Sequence, residues 1–392
     1  MEYASNELYT QEDILGLFGL GNGAAPIGLD IGSTSFRVAQ LKAAADKPML
    51  IEYATAKTPK GLITEGEISD VDGVAKELAS LWRSNKIVEK RVVVGVANQK
   101  VVVRVVEMPV MTEAELRSAI QYQVSDYIPI PADEAIIDFQ ILSEYSKDSH
   151  ERVMDVLLVA ARKDMIETTI AAVEGAGLKP VIVDVSSLAF ARVVMGDTAK
   201  PLLLEDDEPV GATALINLSA TLSDIVVVED NTPRFTRISS IGGSTFTEAL
   251  VEQLGMSVDE ADDIKARIGL PSVDTDEVPA AIDADIKEYA EAVQNVLEQE
   301  MVKFIAEIRR SLDYYLVQAN RAKSIDRIIV TGGGAKLKNF LEYLKQNLQI
   351  EVELGRPLQY FQVNKNSLIA RIEEEELSMA ICLGLAMRGL DR

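Results

Sequence analysis

Three turns, each following an apolar strand, constrain the fold of this chain more than any other feature. The first lies between predicted strands at residues 27–31 and 36–41, the second between strands at 214–218 and 223–229. The third is a run of three glycines that follows an apolar strand at 328–331 and precedes a predicted helix. Because glycine allows tight turns and a close approach of the backbone to a ligand, this ordered set predicts an α/β chain with several phosphate-binding turns.

The residues of the first turn suit both an anion and a hydrated cation. The candidate phosphate ligands in this turn are Gly32, Ser33, Thr34 and Ser35. Hydroxyl and backbone N–H groups donate hydrogen bonds to anions. Asp30 at the strand end is predicted to hold hydrated Mg²⁺, and Arg37 on the next strand is predicted to reach a phosphate. The alternative interpretation is an ordinary hairpin with glycine and serine at its turn.

The composition narrows the function classes. With 392 residues and 47% hydrophobic content, the chain is long enough for two or more domains. Its net charge of −23 repels nucleic acids and anionic lipid, so no nucleic-acid partner is predicted. One cysteine, Cys382, and one histidine, His150, leave little material for disulfides, histidine metal sites or catalytic triads. No secretory signal and no apolar run of roughly 20 residues is visible, so we expect a cytoplasmic protein without a transmembrane segment.

The order of the three turns is the layout of the actin-like ATPase fold, which actin, the heat-shock chaperone ATPases and the sugar kinases share. The other common nucleotide cradle, Gly-x-x-x-x-Gly-Lys-Ser/Thr, is absent from the sequence. We therefore predict an α/β, actin-like two-lobed ATPase fold, built from two ribonuclease-H-like subdomains, with a small β/α subdomain inserted in the first lobe.

The expected domain boundaries follow from this layout. Residues 1–25 form an N-terminal tail with a short helix predicted over 7–18. This helix is either an anchor for a partner or a membrane surface, or a frayed end. The other expected parts are a first-lobe core at 26–108 with 182–205 and 366–392, an inserted subdomain at 109–181, a second-lobe core at 206–245 with 324–365, and a smaller second-lobe subdomain at 246–323.

Short segments along most of the chain resemble one bacterial actin-like family, that of the type IV pilus assembly protein PilM. The most specific is Tyr-Ile-Pro-Ile-Pro-Ala-Asp-Glu at residues 127–134, which actins and sugar kinases generally lack. The other segments that carry the resemblance are 28–33, 61–66, 108–111, 138–139, 159–162, 176–178, 183–184, 309–312 and 331–337. The resemblance covers about residues 26–392.

The resemblance implies that ATP binds between the two lobes together with Mg²⁺, its phosphates lying at residues 32–35 and 219–221. It implies that the triple glycine faces the adenosine and that Asp262 and Lys265 border the adenine and ribose. The candidate contacts in the second lobe are Asn217, Ser219, Thr221, Gly242, Gly243, Asp262, Lys265, Gly332, Gly333, Gly334 and Leu337.

The resemblance also implies a partner, the N-terminal cytoplasmic peptide of the membrane protein PilN, docked between the inserted subdomain and the first lobe. The candidate contacts are Tyr127, Ile128, Pro129, Ile130 and Pro131. Prolines pre-order this backbone, so less entropy is lost when a peptide binds. Such proteins lie at the cytoplasmic face of the inner membrane with other pilus inner-membrane components; homo-oligomerisation is left open.

One departure from the family pattern bears on the metal. The family's second phosphate turn begins Asp-Ile-Gly, whereas this chain has Asn217-Leu-Ser219. A neutral amide oxygen at Asn217 would hold Mg²⁺ less strongly than a carboxylate; alternatively Asn217 orders the turn and contacts no ligand. A true phosphotransferase, such as a sugar or acetate kinase with Asp184 as catalytic base, and an actin-like cell-division protein remain alternatives, and ATP hydrolysis is expected to be weak at most.

Overall fold

The structure, a computed structural model, describes residues 25–147, 152–196, 211–272, 284–319, 322–363 and 372–390. The helix predicted over residues 7–18 lies outside the described residues. The chain divides into two compact units. The first unit comprises Met1–Ala189, Phe361–Leu368 and Ile381–Arg392, and the second comprises Phe190–Tyr360 and Ile369–Ala380.

Strands and helices alternate along most of the chain. The strands are β1 (Ile27–Ile31), β2 (Ser35–Lys42), β3 (Met49–Lys57), β4 (Ile63–Thr64), β5 (Glu67–Ile68), β6 (Arg91–Val96), β7 (Val102–Pro109), β8 (Ala135–Ser146), β9 (Arg152–Arg162), β10 (Lys179–Val185), β11 (Ala212–Leu218), β12 (Ser223–Glu229), β13 (Thr232–Ser239), β14 (Ile325–Thr331), β15 (Glu351–Leu354) and β16 (Gln362–Val363). The helices are α1 (Val71–Asn85), α2 (Glu113–Tyr127), α3 (Lys163–Gly175), α4 (Ser186–Met195), α5 (Gly243–Leu254), α6 (Val258–Ile268), α7 (Ala284–Gln318), α8 (Phe340–Leu348) and α9 (Ala380–Arg388).

A six-stranded sheet with the order β10-β6-β1-β2-β3-β16 forms the main core of the first unit. β1 is antiparallel to β2 and parallel to β6, and β6 is parallel to β10. Apolar residues on one face, such as Leu29 and Val94, pack with α1 and α3. Trp82 of α1 lies in this core, and its indole N–H donates to the carbonyl of Glu89 at 2.8 Å.

A smaller layer of the first unit contains β7, β8 and β9, and β9 lies between the other two and is antiparallel to both. β4 and β5 pair with each other in a separate antiparallel sheet. The predicted capping box opens α2: the N–H of Thr112 donates to Glu115 Oε2 at 2.8 Å, and the N–H of Glu115 donates to Thr112 Oγ1 at 3.4 Å. Leu116 and Ile120 of α2 are buried in one cluster with residues of β7 and β9. The face of α2 that carries Leu116 and Ile120 therefore packs against the sheet.

In the second unit the strand order is β15-β14-β11-β12-β13. β11 is antiparallel to β12 and parallel to β14. The face of β11 that carries Ala214, Ile216 and Leu218 packs with apolar residues of α5, α6 and α7. The 35-residue α7 confirms the long amphipathic helix that its apolar spacing predicts. None of the described helices is both long and apolar enough to cross a bilayer.

The apolar pattern predicts helices over residues 337–348 and 377–387, and both predicted starts need correction. The helix after the triple glycine begins at Phe340, because Gly333–Lys336 forms a 3-10 turn and Asn339 before the helix has a left-handed φ of 62°. The C-terminal helix begins at Ala380, after a separate 3-10 turn at Glu376–Ser378. The sequence pattern does not predict β13, because the small, polar and basic residues of this strand leave little apolar signal.

Candidate functional site

The turn between β1 and β2 is tight and is held from outside by Thr58. The N–H of Gly32 donates to the carbonyl of Ser35 at 3.1 Å. The Thr58 hydroxyl donates to the carbonyl of Gly32 at 2.8 Å, and the Thr58 N–H donates to the carbonyl of Thr34 at 2.9 Å. A Cβ at Gly32 would lie 2.8 Å from the Ser35 carbonyl oxygen, so this turn requires glycine.

The first turn also presents polar groups that suit a bound anion. Ser35 Oγ is buried and has no hydrogen-bond partner among the residues that the structure describes. A buried hydroxyl without a partner is costly, and a ligand oxygen would satisfy it. Ser33 is half-buried and Thr34 is exposed. The turn therefore fits the phosphate role that the sequence predicts for residues 32–35.

Two carboxylates of the first unit lie at the carboxyl ends of β1 and β10. Asp30 is directly opposite Arg37 on β2, and Asp184 is opposite Gly95 on β6. Burial raises the pKa of Asp30 to about 6, while the positive charge of Arg37 opposes that rise. Asp184 accepts a hydrogen bond at Oδ1 from the N–H of Val185 at 2.8 Å. β6 lies between the strands that carry these two side chains.

The turn between β11 and β12 repeats the first turn and is held by the start of α5. The N–H of Ser219 donates to the carbonyl of Leu222 at 3.0 Å. The N–H of Gly243 donates to the carbonyl of Ser219 at 2.8 Å, and the N–H of Ser244 donates to the carbonyl of Ala220 at 2.7 Å. The Ser244 hydroxyl donates to the same Ala220 oxygen at 2.8 Å. The first N–H groups of α5 are therefore used to fix this turn.

Glycine at position 242 permits that close approach. A Cβ at Gly242 would lie 2.4 Å from the carbonyl oxygen of Ala220. Of the two sequence-predicted contacts here, Gly243 begins α5 and Gly242 precedes it. Thr221 is half-buried in the turn beside them.

The Asn217 side chain is engaged by protein groups on three sides. Its Nδ2 donates to Asp224 Oδ2 at 2.9 Å and to Ser219 Oγ at 3.0 Å. Its Oδ1 accepts from the Thr331 hydroxyl at 3.3 Å. Asn217 lies opposite Asp224 on β12 and Thr331 on β14, so the three side chains form a row across three strands. These bonds are the ones expected of a residue that orders the turn.

The three glycines after β14 differ in the space that is available for a side chain. Gly332 has a φ of 90°, and a Cβ there would lie 2.3 Å from the Leu218 carbonyl oxygen. A Cβ at Gly334 would lie 2.4 Å from Leu218 Cγ. At Gly333 the nearest atom would be Ser378 Oγ, at 3.4 Å. Gly332 and Gly334 are therefore required for packing on β11, whereas Gly333 leaves space beside its backbone. Leu337, which follows this turn, donates its N–H to the carbonyl of Gly334 at 3.1 Å.

Asp262 and Lys265 of α6 lie together, as their spacing predicts, and they contact α5. Lys265 Nζ donates to Asp262 Oδ1 at 2.8 Å, to Thr247 Oγ1 at 2.5 Å and to the carbonyl of Gly243 at 3.1 Å. The Thr247 hydroxyl donates to Asp262 Oδ1 at 2.6 Å. Lys265 thereby joins α6 to the first turns of α5, which in turn hold the residue 219–222 turn.

The proline segment predicted to contact a partner is partly buried. Ile128 and Ile130 lie in the core shared with β7 and β9, whereas Pro129 and Pro131 are exposed and Tyr127 is half-buried. Pro131 precedes a 3-10 turn, and the N–H of Glu134 donates to its carbonyl at 3.0 Å. Three of the five predicted contact residues therefore reach the surface.

Sequence reasoning missed the residues that hold these turns. Most of these residues contact groups far away in the chain, namely Thr58, Thr247, Thr331 and Ser244. Asp224 contacts Asn217, seven residues before it. Asp224 alone left a signal, because it stands seven residues after Asn217, the same spacing that separates Asp30 from Arg37. Among the described residues, no group of three or more histidine, cysteine, aspartate or glutamate side chains is placed to hold a metal ion.

Comparison with known proteins agrees with this architecture. The fold is similar to that of MreB 5 of Spiroplasma citri, solved bound to AMPPNP, with a TM-score of 0.50, 13% identity, and coverage of 94% of this chain and 96% of that one. Two units with paired glycine and hydroxyl turns define a protein of the actin-like ATPase class. The family model described as type IV pilus assembly protein PilM matches residues 28–390. The chain belongs to this family, which confirms the resemblance seen in its sequence.

Two further relatives are similar over most of their length. The solved PilM-PilN type IV pilus biogenesis complex contains a chain that is 24% identical, with a TM-score of 0.77 and coverage of 94% of this chain and 99% of that one. The cell division protein FtsA of Neisseria meningitidis is 24% identical over 362 residues, which are 84% of this chain and 83% of FtsA. The overall fold expected from the three turns is thus confirmed.

Proposed function

We propose that this protein is an actin-like, ATP-binding scaffold of the type IV pilus inner-membrane assembly complex, which binds the N-terminal cytoplasmic peptide of a PilN-type membrane protein. The observation that carries the proposal is the family match over residues 28–390. A chain of similar fold over 94% of this protein forms part of a solved PilM-PilN complex, which supports the same partner.

ATP is the proposed ligand, bound through the 32–35 and 219–221 turns and the triple glycine. Support comes from the Ser35 hydroxyl, which has no partner among the described residues, and from Gly333, where a Cβ would fit without a clash. The tight hydrogen bonding of both hairpin turns supports the same ligand. Mg²⁺ would accompany the phosphates, and it commonly takes only one or two protein carboxylates beside phosphate oxygens and water. Asp30 is the proposed carboxylate of the first hairpin.

Hydrolysis is not required by this function. Asp184 is the candidate base for activating a water molecule, and its position at the end of β10 supports that assignment. Weak or absent turnover suits a scaffold in which ATP stabilises one form of the protein by binding to it.

The proposed location is the cytoplasmic face of the inner membrane, reached through partners. The N-terminal peptide of a membrane protein such as PilN would hold the scaffold there. The proposed peptide site includes Tyr127, Pro129 and Pro131, which reach the surface. A net charge of −23 favours a peptide that carries lysine or arginine.

The test is fluorescence anisotropy of a labelled synthetic peptide that copies the cytoplasmic N-terminus of a PilN-type protein from the same organism. Tyr127→Ser should weaken binding by removing an aromatic contact. Tyr122→Ser is the matched control, because Tyr122 is 88% exposed on the same helix and points about 140° away from position 127. Equal loss in both variants, or no binding by the wild-type chain, would refute the proposed partner site.

The similarity to FtsA favours a cell-division role as the second candidate. Deletion of the gene separates the two. Loss of surface pili in cells of normal length supports the pilus scaffold, whereas long undivided cells that keep their pili support the division role.

A further inference from the structure

The two hairpin turns of this chain are built on one register. Asp30 lies opposite Arg37 in the first hairpin and Asn217 lies opposite Asp224 in the second, seven residues apart in both cases. The closing hydrogen bonds match as well, from Gly32 to Ser35 at 3.1 Å and from Ser219 to Leu222 at 3.0 Å. Position 217 therefore corresponds to position 30, and position 224 corresponds to position 37.

The carboxylate occupies different strands in the two hairpins. In the first it stands on the leading strand, at Asp30, and a cation stands opposite it. In the second an amide stands on the leading strand and the carboxylate stands opposite, at Asp224. Relative to the first hairpin, the second thus has its acid on the opposite strand of the pair, an exchange that leaves it one carboxylate.

The hydrogen bonds of Asn217 explain how such an exchange is tolerated. The amide nitrogen of Asn217 donates to Asp224 Oδ2 at 2.9 Å and to Ser219 Oγ at 3.0 Å. An ionised aspartate at 217 could not donate to the Asp224 carboxylate, which only accepts. The Asn217 side-chain amide, which donates to both Asp224 and Ser219, therefore holds the Asp224 carboxylate beside the end of β11. Asn217 and Asp224 are each 3% exposed, so their geometry is set by packing as well as by these bonds.

The row of side chains lies on the face of the sheet opposite the apolar core of the second unit. Ile216, Leu218 and Ile225, which alternate with Asn217 and Asp224, belong to that core. The row of Asn217, Asp224 and Thr331 therefore does not contribute to this core. It lies at the end of the sheet from which the 219–222 turn projects. An electrostatic interaction is strong in such a buried environment, where water screens it little.

We propose that Asp224 supplies the negative charge of the second hairpin to the hydrated Mg²⁺ of a bound nucleotide, and that Asn217 is a positioning residue that holds Asp224. The inference rests on the proposed ATP-binding function. One carboxylate in this hairpin is enough for such a role, because Mg²⁺ commonly takes only one or two protein carboxylates beside phosphate oxygens and water.

The test is calorimetric titration of the full chain with ATP, in MgCl₂ and separately in EDTA. In the wild type Mg²⁺ should strengthen ATP binding by roughly 5- to 150-fold, the usual range of coupling between two ligands. Asp224→Asn keeps the shape of the side chain and should lose most of this gain without weakening ATP binding in EDTA. The exchange variant Asn217→Asp with Asp224→Asn returns the acid to the leading strand and should recover the gain.

Thr331→Val is the matched control, because it removes a hydrogen bond to Asn217 and changes no charge. This control should keep the gain from Mg²⁺, and circular dichroism melting should show that every variant is folded. A folded Asp224→Asn chain with the full Mg²⁺ gain overturns the inference, as does an exchange variant that is folded but recovers nothing. A wild-type chain that binds no ATP in either buffer refutes the proposed function itself.

Discussion

The hydroxyl of Thr58 donates to the carbonyl of Gly32 at 2.8 Å, across 26 residues of chain. This bond ties the segment after β3 to the turn that we propose as the first phosphate site. The two groups meet only after β1, β2 and β3 have paired, so the turn acquires its final shape from the sheet. Thr58 is 4% exposed, and no solvent competes for the bond.

Replacing Thr58 with valine should loosen this turn. The variant keeps the size and branching of the side chain but loses the hydroxyl, so the free energy of unfolding should fall by about 1 kcal/mol. ATP affinity should fall as well. Urea denaturation and calorimetry measure the two effects. Thr55→Val, at an exposed position on β3, is the control and should change neither. Unaltered ATP affinity in a Thr58→Val chain would separate Thr58 from the nucleotide site.

Substitutions in the triple glycine should have different effects on stability and ATP binding at different positions. Gly332→Ala forces a side chain into a φ of 90° and against the Leu218 carbonyl, so we expect a loss of about 1–3 kcal/mol in the free energy of unfolding. Gly333→Ala should be tolerated, because its Cβ meets only Ser378 Oγ at 3.4 Å. Gly333→Asp should fold yet bind no ATP, since a carboxylate would face the nucleotide. Normal ATP binding by a folded Gly333→Asp chain would remove Gly333 from the site.

Lys265 should matter to the second turn through α5. Lys265→Met loses hydrogen bonds to Gly243, Thr247 and Asp262, and the free energy of unfolding should fall by about 1.5–3 kcal/mol. Urea denaturation measures this loss. Lys345→Met is the control, since Lys345 pairs with Glu351 between two side chains that are more than half exposed. Equal, small effects in both variants would show that Lys265 does not stabilise α5.

Asn217→Asp should make stability depend on pH. The new carboxylate would lie where the Asn217 amide now contacts Asp224 Oδ2 at 2.9 Å, so the pair would share one proton and one pKa would rise. A raised pKa in the folded state means that stability is present at low pH and is lost as pH increases through that value. The melting temperature should therefore fall below that of the wild type at pH 7 and approach it at pH 4. A constant difference between the two chains at every pH would contradict the pairing with Asp224.

The ligand-free protein should itself gain stability when Asp30 is neutral. Burial raises the pKa of Asp30 from 3.8 to about 6, against the opposing charge of Arg37. The stability due to the protonated form is therefore complete below about pH 4 and is lost as the pH rises through about 6. Asp30→Asn stays neutral, so it should be more stable than the wild type at pH 7, although its binding of ATP with Mg²⁺ should be weaker. Asp46→Asn, at an exposed position, is the control. Melting curves from pH 4 to pH 8 measure the difference, and identical curves for Asp30→Asn and the wild type would contradict it.

The elements that the sequence predicts well are those with local signals. The apolar spacing of α7 and the polar break between the strands of each hairpin are set by neighbouring residues, and both appear in the structure as expected. The start of α8 was misplaced because the left-handed conformation of Asn339 depends on contacts outside the helix, among them the hydrogen bond from Asn339 Nδ2 to the carbonyl of Leu270 at 2.8 Å.

The site residues also divide into those with a local sequence signal and those whose role depends on distant contacts. Turn glycines and the strand-end Asp30 are visible in the sequence because each lies within the motif that it serves. Thr58 and Thr331 are not visible in this way, since their partners are 26 and 114 residues away. A pattern search along the chain therefore finds the residues proposed to contact the ligand and misses those that hold them in place.

The fluorescence of Trp82 reports on the unfolding of one of the two units. It is the only tryptophan in the sequence and lies in the core formed by α1, α3 and the six-stranded sheet. Indole emission on excitation at the red edge of the absorption band therefore follows the melting of the first unit alone. Far-ultraviolet dichroism follows the helices of both units, including α7. Comparing the two signals in one denaturation experiment distinguishes concerted melting from stepwise melting without any introduced label.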